Sequence, residues 1–99
     1  MIAEITIEEV IQKRENGWSP FILDVRSEME YNQARIATVD LHIEHTSVQS
    51  IMNDLPADRD VLVHCKSGVR SQMAIMLLAQ SGFDSSRLFN LSGGIIAWH

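Results

Sequence analysis

One cysteine, two prolines, six aromatic side chains and no excess of basic residues are the scarcities of this 99-residue chain. The single Cys65 excludes an internal disulfide framework and a thiolate zinc cluster together, because both need more than one sulfur. It also excludes an intramolecular resolving partner, so any redox or transfer chemistry at Cys65 has to finish on another molecule. Eight Lys and Arg stand against 13 Asp and Glu, a formal charge of −5, and a chain this acidic lacks the basic footprint that nucleic acid requires. The longest apolar run, Met73 to Ala79, has seven residues, against the roughly 20 needed to span a bilayer. Met1-Ile2-Ala3-Glu4 has neither the basic stretch nor the apolar core of a secretory leader. A reducing, cytoplasmic setting is the expectation.

What is present is ordinary globular composition, 45% hydrophobic and 21% charged, over a length that suits a single domain, residues 1–99. No repeat and no low-complexity linker divides it. Strand-like and helix-like patches alternate. Ile2–Ile5 is a short apolar strand. Thr6-Ile7-Glu8-Glu9 has the form of a capping box, in which Thr6 caps a helix and Glu9 reaches back to it, with Gly17 as the stop. Phe21–Val25 is an apolar run interrupted only by Asp24, as in a strand covered on both faces. Ser27 to Glu30 is a second capping box, opening a short helix to about Ala34.

Val39–Ile43 is a weaker strand. Thr46-Ser47-Val48-Gln49 has the capping-box pattern again and opens a helix carrying Val48, Ile51, Met52 and Leu55. Pro56 and the polar residues behind it make a turn. Val61–His64 is the clearest strand, and a helix runs from about Arg70 to Gln80. That helix is apolar on nearly every side, which predicts a central, covered position. Leu88–Leu91 is a last strand, and Ser92-Gly93-Gly94 leads into a final helical start. Alternation of this kind predicts an α/β domain with a mostly parallel sheet.

In such sheets ligands bind beyond the carboxyl ends of strands, where loops run into helix N-termini. The segment Val61–Ser71 has that form: apolar strand, Cys65, a turn containing Gly68, then a helix. Unpaired N–H groups of the turn and the positive end of the helix favour a thiolate, which lowers the cysteine pKa and makes it nucleophilic. Lys66 and Arg70 add local positive charge that attracts an anionic substrate. Ser67 and Ser71 can donate to the sulfur or cap the helix. The plain alternative is a buried Cys65 acting as a small hydrophobe.

Three stretches together resemble the signatures of the single-domain rhodanese family. They are Asp24-Val25-Arg26, His64-Cys65-Lys66-Ser67-Gly68-Val69-Arg70-Ser71 and Leu91-Ser92-Gly93-Gly94-Ile95-Ile96-Ala97-Trp98. The resemblance implies a three-layer α/β fold, a mostly parallel sheet of about five strands with helices on both faces. It also implies a thiosulfate sulfurtransferase with Cys65 as the catalytic residue. Sulfur would pass as a Cys65 persulfide from a small anionic donor to a nucleophile, whether cyanide, a thiol or a partner protein. Lys66, Ser67, Gly68, Val69, Arg70 and Ser71 would bind the substrate, with Arg70 stiffening the loop, and Asp24 and Arg26 would support it structurally. No metal or organic cofactor, nucleic acid or membrane enters this scheme.

The family's Gly-His-Ile-x-Gly-Ala stretch falls at Ala34–Val39, where only Ile36 matches and both glycines are replaced. Two other functions fit the same residues: a non-catalytic rhodanese module used for binding or regulation, and a cysteine-dependent phosphatase. Such phosphatases place five residues between Cys and Arg, whereas four separate Cys65 from Arg70.

Several residues take a plainer role. His64 precedes Cys65 on a strand, so its side chain should face the opposite way and serve structure. His42 and His45 with Cys65 fall short of a tetrahedral metal set. Trp98, Phe89 and the methionines are expected in the core, and Glu28 and Glu30 are expected only to favour a helix N-terminus.

Overall fold

The computed structural model describes residues 2–99. Its strands are β1 (Ala3–Ile5), β2 (Phe21–Asp24), β3 (Leu41–His42), β4 (Val61–His64) and β5 (Leu88–Leu91). Four α-helices lie between and after them: α1 (Ile7–Glu15), α2 (Glu28–Gln33), α3 (Val69–Gln80) and α4 (Gly94–Ala97). A 3₁₀ segment covers His45–Asp54. The sheet order is β1-β5-β4-β2-β3, and every neighbouring pair is parallel. This is the rhodanese-like α/β architecture that the resemblance implied.

Because all five strands run the same way, their carboxyl ends share one edge of the sheet. Asp24 stands between His64 and His42 in a single row, and Val63 pairs with Asn90 one step back. Alternation along β2 and β4 then sorts the core into two layers. Leu23, Val25, Val61, Val63 and Cys65 pack with Val48 and Leu55 of the 3₁₀ segment and Ala74, Ile75 and Leu78 of α3. Ile22 and Leu62 face the other way, against Ile7 and Val10 of α1, Ile36, Trp18 and Trp98.

Both N-terminal capping boxes form: Glu9 N–H donates to Thr6 Oγ1 at 3.2 Å, and Glu30 N–H to Ser27 Oγ at 3.3 Å. The one expected at Thr46 does not. The segment starts at His45 with Glu44 as its cap, without a side-chain bond, and winds as 3₁₀ rather than α-helix. Gln49, which should have closed that box, instead donates to Ser81 Oγ at 2.7 Å across the α3 C-terminus. A tertiary partner has outcompeted the local one.

The expectation of a covered α3 is also corrected. Ser71, Ala74, Ile75 and Leu78 are buried, but Val69, Met73 and Met76 face solvent. Only one side of α3 meets the sheet and the 3₁₀ segment, and the unbranched methionines occupy the free side. Met29 is exposed as well, so of the described methionines only Met52 packs against the core. β3 is shorter than expected, although the Asp40 N–H still donates to the Ile22 carbonyl at 2.9 Å, and the Asp40 carboxylate accepts the Ile22 N–H at 2.8 Å. Trp98 and Phe89 are half-buried against the second layer.

Candidate active site

β4 delivers Cys65 to the carboxyl edge with its side chain in the α3 layer, 1% exposed. Behind it, Lys66 and Ser67 turn outward, and Gly68 takes φ +107° as the residue that caps α3. No side chain caps this helix, so Ser67 and Ser71 do not serve that role. The first free N–H groups turn back on the sulfur instead, and Gly68 N–H donates to Cys65 Sγ at 3.1 Å. Ser71, on the first turn of α3, places its Oγ 3.4 Å from the same sulfur. Burial pushes the Cys65 thiol up, but the Ser71 hydroxyl and the N–H groups of Ser71, Gly68 and Ser67 outweigh it. The net position is below the ordinary thiol value.

The rest of the cradle comes from the chain's last turn. Ile95 N–H donates to the Cys65 carbonyl at 2.9 Å and Ile96 N–H to the Lys66 carbonyl at 3.3 Å. Gly94, at φ +61°, permits this contact because its α-carbon lies directly against the Cys65–Lys66 backbone.

Asp24 and Arg26 form a buried ion pair at the end of β2. Arg26 gives Nη2 to Asp24 Oδ2 at 2.7 Å and its backbone N–H to Oδ1 at 2.9 Å, and its Nη2 also donates to the Ala34 carbonyl at 2.7 Å. His64 sits beside them on the sheet face opposite Cys65, with Nε2 3.7 Å from Asp24 Oδ2 and Nδ1 3.3 Å from the Cys65 carbonyl. Nε2 has no hydrogen-bond partner among the described residues. Burial holds this imidazole below its usual value, against the opposing pull of Asp24.

The expected positive field around the loop is weaker than its residue types imply. Arg70 forms a two-pronged pair with Glu30 of α2, Nη1 to Oε1 at 2.6 Å and Nη2 to Oε2 at 2.8 Å. Arg70 chiefly holds the Glu30 carboxyl down to about 2. Glu30 thus does more than favour a helix N-terminus: it caps Ser27 and ties α2 to the cysteine loop. Its partner lies 40 residues away, a relation no local pattern displays. Lys66 remains exposed beside a cleft of about 190 Å³ that Arg26, Glu30, Gln33, Ala34, Ile95 and Ile96 also line.

Asn90 was also missed. It is a fully buried polar residue in β5, hydrogen-bonded to Ser71 and Gly68. An amide interrupting Leu88-Phe89-Asn90-Leu91 is the same kind of signal as Asp24 in β2, and could have marked it. The histidines do other work. His42 Nε2 meets the Arg26 carbonyl at 2.7 Å and its ring stacks on Tyr31. Among the described residues no three His, Cys, Asp or Glu side chains gather as a metal-binding set.

Comparison with known proteins now adds to the geometry. The sequence model of the Rhodanese-like domain matches residues 6–99. The chain belongs to the rhodanese-like family. It is similar to a sulfurtransferase of Allochromatium vinosum, 36% identical over 98 residues, covering 99% of this chain and 89% of that one. A thiosulfate sulfurtransferase, GlpE, of Shewanella oneidensis is 27% identical over 95 residues, covering 96% and 90%. Other curated relatives are longer, and the chain spans 51% and 24% of two of them. Among solved structures, a rhodanese-like domain protein from Staphylococcus aureus superposes with a TM-score of 0.83 at 26% identity, covering 99% of this chain and 92% of that one.

Within a rhodanese-like chain the altered stretch Ala34–Val39 has a simple reading. No described non-glycine residue has positive φ, so the positions where the family's glycines are replaced adopt ordinary backbone. Ala34 is extended at φ −164° and gives its carbonyl to Arg26. Ile36, the one residue that matches, is buried in the second layer.

Proposed function

We propose that this chain is a sulfurtransferase that carries sulfane sulfur as a persulfide on Cys65, with thiosulfate as a competent donor. The observation that carries this reading is the Cys65 sulfur seated under the Gly68 N–H at 3.1 Å, at the start of α3. Donors fixed in that way stabilise a thiolate before reaction and a terminal persulfide anion after it. The names of the similar proteins, a sulfurtransferase and a thiosulfate sulfurtransferase, support the same reading.

In the first half-reaction the Cys65 thiolate attacks the outer sulfur of thiosulfate. The new S–S bond forms as the donor's S–S bond breaks, and sulfite departs with the electron pair. In the second, a nucleophile attacks the terminal sulfur, the persulfide S–S bond breaks, and Cys65 returns as a thiolate. With no second cysteine in the chain, the acceptor is a separate molecule: cyanide in an assay, or a thiol or partner protein. In this scheme the backbone and hydroxyl groups of residues 66–71 hold the sulfur, and Asp24 and Arg26 fix the neighbouring strand end. Lys66 attracts the anionic donor, while Arg70 acts by locking the loop to α2 rather than by meeting the anion.

The pairing of Arg70 with Glu30 also weighs against phosphate-ester hydrolysis, which needs that guanidinium turned to the loop's anion. Intact-mass measurement after thiosulfate treatment tests the reading. One added sulfur atom is expected on the wild type and none on Cys65→Ser. Absence of the adduct, or its persistence in Cys65→Ser, would refute the mechanism. A wild-type thiocyanate-forming rate equal to that of Cys65→Ala would mark a non-catalytic module.

A further inference from the structure

Behind Cys65 a hydrogen-bond chain leads away from the sulfur, through Ser71 and Asn90, to Glu4 on β1. Asn90 Nδ2 lies 3.0 Å from both Glu4 carboxylate oxygens and 3.1 Å from the Gly68 carbonyl. Both groups are acceptors, so they take both amide hydrogens, and a reversed amide would set Oδ1 against two acceptors. The orientation of Asn90 is therefore determined by its surroundings. Oδ1 must face Ser71, whose hydroxyl donates to it.

Ser71 has one hydroxyl proton. While Cys65 is a thiol, the arrangement is consistent: S–H donates to Ser71 Oγ, and Ser71 O–H donates to Asn90. Once Cys65 has lost its proton to solvent, the sulfur becomes an acceptor only, and two acceptors face the single Ser71 proton. If that proton turns to the sulfur, Asn90 Oδ1 is left unpaired at a residue with no solvent exposure.

We infer that Asn90 is a positioning residue for the proposed transfer: its amide oxygen competes with the Cys65 sulfur for the Ser71 hydroxyl proton, and Glu4 strengthens that competition by holding the other end of the amide. The inference rests on Cys65 being the nucleophile. Its chemical consequence is a thiolate held less tightly than full donation from Ser71 would hold it. Such a thiolate is intrinsically the better nucleophile, since nucleophilicity falls as thiol pKa falls. Other charged and titratable groups around the loop are Arg70 with Glu30, Lys66, and Asp24, Arg26 and His64 at the ends of β2 and β4. They are unchanged in every variant below, so they form a constant background.

The test is the pH dependence of iodoacetamide alkylation of Cys65 in the full chain, which yields the thiol ionisation midpoint and the limiting thiolate rate. Ser71→Ala should raise the midpoint. Asn90→Leu frees the Ser71 proton and should lower it, with an ionisation constant roughly three- to tenfold larger, the range spanned by one net hydrogen bond. Its limiting rate per thiolate should fall. The double variant Ser71→Ala/Asn90→Leu should match Ser71→Ala alone, because no proton is left to contest.

If Asn90→Leu does not fold, Glu4→Gln, at an exposed position, carries the test. Its smaller downward shift should shrink in the Ser71→Ala background. An Asn90→Leu midpoint that is unchanged or raised overturns the inference. So does a Glu4→Gln shift that is nil, or of equal size with and without Ser71, since the latter is a charge acting through space. Alkylation does not require sulfur transfer, so coupled midpoints in a protein that never forms a persulfide would refute the proposed function and leave only the competition of Asn90 and Cys65 for the Ser71 proton standing.

Discussion

Substituting Gly94 by alanine probes how tightly the last helix holds the cysteine loop. A Cβ at Gly94 would fall 2.5 Å from the Lys66 carbonyl carbon and 2.7 Å from the Cys65 carbonyl oxygen, and closer still to Lys66 O. These are backbone atoms and cannot swing aside. At φ +61° an alanine also pays the left-handed backbone cost of about 1–2 kcal/mol. Relieving the overlap adds about 1–3 kcal/mol, the usual range for forced repacking. The sum, about 2–5 kcal/mol, is a large part of the 5–15 kcal/mol that typically holds a domain together. Gly82→Ala is the matched control: its φ is +99° and nothing lies within 4 Å of its Cβ position, so only the backbone cost applies.

Urea unfolding followed by circular dichroism should place the Gly94→Ala midpoint clearly below that of Gly82→Ala. Thiosulfate loading of Cys65 should be slowed only in Gly94→Ala, because the Ile95 and Ile96 amides are pushed off the Cys65 and Lys66 carbonyls. Equal midpoints together with wild-type loading would refute the claim that α4 clamps the loop.

The Glu30 carboxyl is held at about 2 rather than its ordinary 4.5, so its contribution to stability is complete above 4.5 and lost as pH falls toward 2. Urea midpoints of Glu30→Gln should accordingly decline less steeply than wild type across that window, and parallel profiles would count against the Arg70 pairing. His64 is held below 6.5 by burial, so the folded state resists a proton that the unfolded chain accepts; stability should be full above 6.5 and fall below it. His64→Leu should remove that part of the decline between pH 7.5 and 5.5, and an unchanged slope would place the pH dependence elsewhere. Asp24→Asn strands the buried Arg26 charge and should cost about 3–5 kcal/mol. A melting temperature within a degree or two of wild type would show that the pair matters little.

The layered α/β plan and the position of Cys65 were legible because they follow from short-range signals: apolar runs, capping boxes, and a glycine turn at a strand end. Thr6 and Ser27 cap as expected, since each box closes within three residues. Thr46 carries the same pattern and fails, because Gln49 finds Ser81 32 positions away. The second role of Glu30 was illegible for the same reason, as it comes from Arg70, which the fold alone brings near. The exposed methionines of α3 show a further limit: an all-apolar helix reads as covered, but burial depends on how many neighbours the sheet and its loops supply. Asp24 and Asn90 differ in kind. Each is a polar side chain where a strand should be apolar, and each holds a network at the site.

The sheet order also bears on when the cysteine loop is completed during biosynthesis. β5 lies between β1 and β4, and β1 has no other neighbour in the sheet. Chains emerge N-terminus first, at about 5–20 residues per second. β2, β3 and β4 can therefore pair while β1 still waits for a strand that has yet to be made. The same late segment brings Asn90, Gly94 and the amides that fix the Cys65 carbonyl. A nascent chain that has already released Cys65 thus lacks the Ile95 and Ile96 amides that hold the Cys65 and Lys66 carbonyls, and it gains them only after β5 has been made. The two ends of the chain therefore close the sheet and clamp the cysteine loop in the same late step, after the loop itself has left the ribosome.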